Sequence, residues 1–228
     1  MTKKQRAAEI VERMKQMYPD ALCSLQYSDP LQLLIAVVLS AQCTDERVNK
    51  VTPALFKRFP TLDAFCEAEV GEIGEYIRSC GFYNSKSKNI SGLCKMIKSD
   101  FGGKVPDSIE QLVKLPGVGR KTANLICGDV YGKDGYVVDT HMIRISQRMG
   151  LCEIKENESE PALKIEMQLR KLIPESESAN FCHRIVLHGR ALCTARKAKC
   201  EECSLNDICK KKIVIKPKKT AAKPAVSR

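Results

Sequence analysis

Apolar positions recur at helical spacing over most of this chain. Ile10, Val11, Met14 and Met17 mark one face of an opening helix that should end before Pro19. Asp29-Pro30 reads as an N-cap followed by proline at the first helical position. The next segment, Leu31 to Leu39, is apolar nearly all round, as expected of a central buried helix. Further starts stand at Thr44-Asp45-Glu46, Thr61-Leu62-Asp63 and Pro106-Asp107-Ser108, the last leading into a helix over 109–115. Gly81 and Gly102-Gly103 read as helix stops. Later helices are expected over 142–149, about 161–172 and about 179–192. Only Gly135-Tyr136-Val137-Val138 has strand character, and neither a solenoid period nor a heptad appears. The pattern predicts an all-α fold.

Composition narrows the class. At 228 residues and 43% apolar, the chain has enough core for one generous domain or two small ones. The longest unbroken apolar run, Leu33 to Leu39, is far too short to cross a bilayer. Met1 to Ala8 is followed by Glu9 and Glu12 without a signal-peptide stretch, so neither secretion nor membrane insertion is expected. Of the net charge of +11, eight basic residues and no acid fall between Lys210 and Arg228, which leaves +3 for the body. The segment 213–228 reads as a disordered basic tail, and charge by itself supports a nucleic-acid partner only weakly. There are 12 cysteines. In a cytosolic setting they should be reduced thiols, and eight scattered ones read as small buried hydrophobes. Cys193, Cys200, Cys203 and Cys209 crowd into seventeen residues, which scatter does not explain.

Three motifs carry chemistry. In Leu115-Pro116-Gly117-Val118-Gly119-Arg120-Lys121-Thr122-Ala123 a helix end meets a Pro-Gly-x-Gly turn and a second helix begins at once. Glycines there let backbone approach a ligand and expose N–H groups at a helix N-terminus, which suits a phosphate oxygen. The same turn fits an ordinary αα-hairpin; the Arg-Lys-Thr that follows favours the phosphate. In Val137-Val138-Asp139-Thr140-His141 the aspartate can act as an N-cap or as a carboxylate kept ionised beside a reaction centre. Lys121, near a helix N-terminus in a partly desolvated cleft, would have free-amine character, and amine plus carboxylate suits attack at a sugar or carbonyl carbon through a Schiff base. The third motif, Cys193-x6-Cys200-x2-Cys203-x5-Cys209, can ligate zinc or an iron–sulfur cluster. Only one short Cys pair is present, so the spacing prefers a four-iron cluster modestly. Arg196, Lys197 and Lys199 give that loop a basic rim.

Together and in this order the motifs resemble those of the bacterial endonuclease III family, helix-hairpin-helix DNA glycosylases that carry an iron–sulfur cluster. The resemblance extends through 33–42, Tyr83-Asn84-Ser85-Lys86 and Leu187-His188-Gly189-Arg190, and covers roughly residues 5 to 212. It implies two helical domains flanking a DNA cleft: a six-helix barrel over 23–132 ending in the hairpin, and a [4Fe-4S] domain from 1–22 and 133–212. It implies Lys121 as nucleophile, Asp139 as essential carboxylate, and Cys193, Cys200, Cys203 and Cys209 as cluster ligands. Gln42 would fill the space of a flipped nucleotide, and Phe82 stands where relatives often have a leucine wedge. Leu115, Gly117, Gly119, Arg120, His141, Lys197 and Lys199 complete the implied DNA contacts. The implied activity is excision of oxidised pyrimidines from duplex DNA, with cleavage at the abasic site, by a monomer in the bacterial cytoplasm at the nucleoid. A monofunctional mismatch glycosylase is disfavoured by Lys121; a non-catalytic DNA-binding module and a redox iron–sulfur carrier are the readings from other classes.

Overall fold

A computed structural model describes residues 1–211. Eleven α-helices follow in chain order: α1 (Lys3–Met17), α2 (Pro30–Ser40), α3 (Asp45–Arg58), α4 (Leu62–Glu67), α5 (Val70–Ile77), α6 (Tyr83–Asp100), α7 (Ile109–Leu112), α8 (Arg120–Tyr131), α9 (Thr140–Arg148), α10 (Pro161–Leu169) and α11 (Ser178–Ala191). Short 3₁₀ turns occupy Arg78–Cys80, Glu175–Glu177 and Cys200–Glu202. Among the described residues no strand forms; the one extended pairing is an isolated bridge between Cys193 and Ala198. The fold is all-α. No helix of the described residues is long and apolar enough to cross a membrane. The basic tail read from the sequence, and Lys212 before it, lie outside the described residues.

Most helix starts are set by local capping. Asp29 Oδ1 accepts the Gln32 N–H at 2.9 Å, Thr44 Oγ1 accepts that of Arg47 at 3.2 Å, and Thr61 Oγ1 that of Ala64 at 3.1 Å. Ser108 caps α7 in the same way, yet α7 stops at Leu112 instead of running to residue 115. Lys114 and Leu115 donate to Gln111 and Leu112, three residues back, so the chain tightens as it approaches Pro116. At the end of α6 the Gly103 N–H, at φ 78°, closes on the Ile97 carbonyl at 3.0 Å and stops the helix.

Two compact units emerge. The hairpin unit comprises Asp20–Val137 and Glu175–His183, and the cysteine unit comprises Met1–Pro19, Val138–Pro174 and the chain from Arg184 onward. In the hairpin unit, α2 is buried on every side from Leu33 to Leu39, and α3, α6 and α8 pack against it. Its core gathers Val48, Leu55, Phe59, Phe65, Ile73, Ile90 and Leu93, and reaches the hairpin through Leu112, Leu115 and Val118. The expected division gave all of 133–212 to a cluster domain, but residues 175–183 group with the hairpin unit. Ser178 Oγ accepts the Gly135 N–H at 3.1 Å, and His183 Nε2 pairs with Asp129 Oδ1 at 2.8 Å. The cysteine unit buries Ile10, Met14, Met142, Ile145, Leu151, Ile165 and Leu169. Its α1 is fastened to the cysteine-rich segment by Arg13, whose Nη1 donates to Ser204 O at 2.8 Å and Asp207 Oδ1 at 2.6 Å.

Candidate functional site

The hairpin turn is built on backbone geometry. Val118 N–H closes on Leu115 O at 3.1 Å, and Gly117 sits at φ 77°, where a Cβ would come within 2.8 Å of the Asn89 side chain. Only glycine satisfies both conditions. Gly119 is the N-cap of α8 and offers no side chain to the first N–H groups of the helix. Gly117, Gly119, Arg120 and Lys121 are all exposed. Leu115 is 2% exposed and packs in the core, so its side chain is a foundation under the turn. Lys121 is exposed on the first turn of α8. Behind it, Asn124 Nδ2 donates to Arg120 O at 3.1 Å, and Asn124 Oδ1 accepts the Tyr136 N–H at 3.0 Å. That amide ties the segment leading to residue 137 onto α8.

Two other exposed tips belong to the same unit. Gln42, after α2, has φ 54°, and Phe82, the N-cap of α6, has φ 48° and is 66% exposed. Non-glycine residues in this left-handed region cost free energy that surrounding structure must offset, and such positions concentrate at functional sites. Lys86 supplies part of that support. It is buried, and its Nζ donates to Leu39 O at 2.8 Å and Cys80 O at 2.9 Å, bridging the chain before each tip. Burial holds its amine below the ordinary lysine range. The sequence reading did not single out this lysine, because nothing in Tyr83-Asn84-Ser85-Lys86 says that it points inward.

In the cysteine unit, Asp139 is the N-cap of α9, with Oδ1 accepting the Met142 N–H at 2.8 Å. It is half-buried, with its second oxygen not used by the cap. His141, two residues on, places Nδ1 3.3 Å from Arg144 Nη2. Lys121 and Asp139 therefore come from different units.

Cys193, Cys200, Cys203 and Cys209 line a single pocket, with Met149, Leu192, Ala198 and Leu205 as apolar wall. Burial pushes the Cys203 and Cys209 thiols up, and the neighbouring cysteine sulfurs push the same way. Among the described residues, no three His, Cys, Asp or Glu side chains converge tightly enough to hold one metal ion. The donor set is four thiols around a shared pocket, the chemistry of a metal or iron–sulfur site. Lys197 and Lys199 on this loop are exposed, Lys199 with Glu202 Oε2 at 3.8 Å.

The loop is held by two arginines that the sequence reading passed over. Arg144 Nε and Nη2 donate to Cys193 O at 3.2 and 3.1 Å. Arg148 Nη1 donates to Thr194 O at 2.7 Å and to Cys193 Sγ at 3.3 Å, while Nη2 reaches Ala195 O at 3.2 Å. Their i, i+4 spacing on α9 was a readable signal, since it puts both guanidiniums on one helix face. Gly189 lets α11 approach that face: a Cβ there would collide with His141 Nδ1 and lie 2.8 Å from Arg144 Nη2. His188 sits between Tyr18 Oη, 3.1 Å from Nδ1, and Cys203 Sγ, 3.9 Å from Nε2. Burial and the nearby Arg144 charge lower its pKa to about 4.

Residues 35–175 match the family model of the HhH-GPD superfamily, base excision DNA repair proteins, which places the glycine turn and Asp139 within a helix-hairpin-helix repair fold. Endonuclease III of Synechocystis is 50% identical over 91% of this chain and 93% of its own length. Endonuclease III of Bacillus subtilis is 40% identical over 88% and 90%. A solved structure described as a trapped endonuclease III–DNA covalent intermediate superposes with TM-score 0.82 at 41% identity, covering 92% of this chain and 97% of that one. The chain belongs to the endonuclease III family of the HhH-GPD superfamily. Its fold class is that of the family, and its activity is that of a base excision repair DNA glycosylase and abasic-site lyase.

Proposed function

We propose that this chain removes oxidised pyrimidines from duplex DNA through a Schiff base on Lys121 and cuts 3′ to the abasic site by β-elimination. The observation that carries this reading is the exposed Lys121 one residue into α8, directly behind a glycine turn whose helix N-terminus has no side-chain cap. The uncapped N–H groups and the dipole of α8 take a phosphate, with Gly117, Gly119 and Arg120 alongside, and so fix the backbone next to the amine. The target nucleotide leaves the stack because its glycosidic carbon is unreachable inside it. The Lys121 amine attacks C1′, the C1′–N bond breaks, and the base departs with a proton. The C1′–O4′ bond then breaks, O4′ taking a proton, and the resulting imine acidifies the C2′ proton; its removal expels the 3′ phosphate. Asp139, free of the cap at one oxygen, accepts the ammonium proton or balances positive charge on the opening sugar.

Gln42 and Phe82 enter the duplex from their strained tips, Gln42 into the space of the flipped nucleotide and Phe82 as an aromatic wedge. His141, Lys197 and Lys199 add polar and basic contacts. Cys193, Cys200, Cys203 and Cys209 hold a [4Fe-4S] cluster, which when bound staples the loop and takes no part in excision. The protein works as a monomer on chromosomal DNA in the cytoplasm. The solved covalent endonuclease III–DNA intermediate supports the Schiff-base reading.

The test is borohydride trapping on a duplex containing one thymine glycol. A covalent adduct is expected from the wild type. Lys121→Gln should give none, with excision down by on the order of a thousandfold or more while duplex binding persists. Continued nicking by that variant would remove Lys121 from its role, and adduct formation with abasic but not oxidised duplex would move the lesion class elsewhere.

A further inference from the structure

The two strained tips share more than Lys86. Cys43 follows Gln42 directly, and Cys80 ends the 3₁₀ turn two residues before Phe82. Helix α3, which begins at Asp45 just past Cys43, packs against that same turn. Cys43 lies close enough to Cys80 to raise its thiol pKa. Cys43 is half-buried, whereas Cys80 is 2% exposed. The Lys86 ammonium lies beside both sulfurs, and its bonds to Leu39 O and Cys80 O clamp the two backbone segments at a fixed separation. Elsewhere in this unit Cys127 and Cys182 bond to backbone carbonyls, and Cys94, buried within α6, has Cys66 as its sulfur neighbour. The Cys43 and Cys80 pair stands out for two neighbouring sulfurs, a lysine ammonium near both and one partner that is only half-buried.

We propose that Cys43 and Cys80 form an oxidative modification site, a thiol pair that a hydroperoxide converts to a disulfide linking the two tips. The sulfur of the less buried Cys43 attacks the peroxide; an S–O bond forms, the O–O bond breaks, and the distal oxygen leaves as water or alcohol. The Cys80 sulfur then attacks the Cys43 sulfenic acid; the S–S bond forms, and water leaves with the Cys80 proton. Two thiols give up two electrons, and one peroxide takes them up. Burial pushes the Cys80 thiol up to about 11 and Cys43 adds to the rise, with Lys86 and Arg47 pulling the other way, so Cys80 waits as a thiol and gives up its proton only as it attacks the oxidised Cys43. The bond would tie Gln42 to the turn that carries Phe82 and stop either tip from moving alone. Its effect on excision rests on the reading that these tips enter the duplex.

The full-length reduced protein is treated with stoichiometric hydrogen peroxide, alkylated, digested and mapped by mass spectrometry without reductant. The expected product is a Cys43 peptide joined to a Cys80 peptide, two hydrogens lighter than the two together and separated by dithiothreitol. Cys80→Ser should abolish the link and leave Cys43 trapped by a sulfenic-acid reagent. Both thiols fully alkylated after peroxide, or Cys43 driven to sulfinic acid beside a free Cys80, would overturn the proposal. Excision by the oxidised wild type should fall by about tenfold or more and return with dithiothreitol, whereas Cys80→Ser should ignore the same treatment. A disulfide that forms with excision unchanged would overturn the locking of the tips. A disulfide in a protein whose reduced form does not act on oxidised duplex would overturn the DNA reading and leave the thiol site standing.

Discussion

The hairpin turn and the cysteine loop are both short irregular segments, yet they are held by opposite means. The turn at Gly117 rests on main-chain geometry: a left-handed glycine, a three-residue backbone bond, and Leu115 and Val118 buried beneath it. The loop from Cys193 to Ala195 makes little regular structure of its own and is gripped by side chains from elsewhere, with Arg144 and Arg148 both donating to the Cys193 carbonyl. A backbone-built site is rigid because a packed core defines it, and its donors are presented without any side chain having to order. A side-chain-built loop leaves room for thiols to meet a guest, and is only as firm as those contacts.

The contrast can be broken at several points. Gly117→Ala should have the largest effect of the structural changes, since it adds left-handed strain to a collision with Asn89. A loss of about 2–5 kcal/mol is expected in denaturant unfolding, with weaker duplex binding. Unchanged stability would mean that the turn is looser than its geometry says. Arg148→Met removes bonds to Cys193, Thr194 and Ala195 while keeping bulk on α9. It should cost about 1.5–3 kcal/mol and speed loss of visible absorbance to a chelator, while the excision rate per loaded protein stays near normal. A normal chelation rate would show that the cysteines alone hold the loop.

The smallest effect is expected at the ends of the hairpin. Asp107, before α7, meets Lys133, after α8, at 2.5 Å, and that ammonium holds the Asp107 carboxyl below its ordinary range. A lowered carboxylate pKa adds stability above its unfolded value and loses it as pH falls through the folded one. Asp107→Asn should therefore lower Tm slightly at neutral pH, by an amount that solvent screening keeps small, and match the wild type in strong acid. A gap between the two proteins that widens on acidification would reverse the sign of this linkage.

The elements most legible from sequence were those decided locally. Asp29, Thr44, Thr61 and Ser108 announced helix starts because a cap is chosen by residues three apart. The end of α7 was misjudged because its tightening depends on Pro116 and on a core that receives Leu112 and Leu115 together. The glycine turn and the four-cysteine run were visible as motifs because their chemistry is written in short spacings. Lys86, by contrast, looks like any surface lysine in a helix, and only packing turns it inward onto two carbonyls.

By itself, then, the sequence determined the helical class, most of the caps, the turn that frees the first N–H groups of α8, and the family. Each of those follows from residues close together in the chain, where sterics and hydrogen bonding act within a few bonds. Tertiary structure alone decided that residues 175–183 join the hairpin unit, that two arginines on α9 grip the Cys193 carbonyl, and that Lys86 bridges the carbonyls of Leu39 and Cys80. Those contacts span tens of residues. Burying the apolar faces brings such positions together, and neither periodicity nor spacing records which of them will touch.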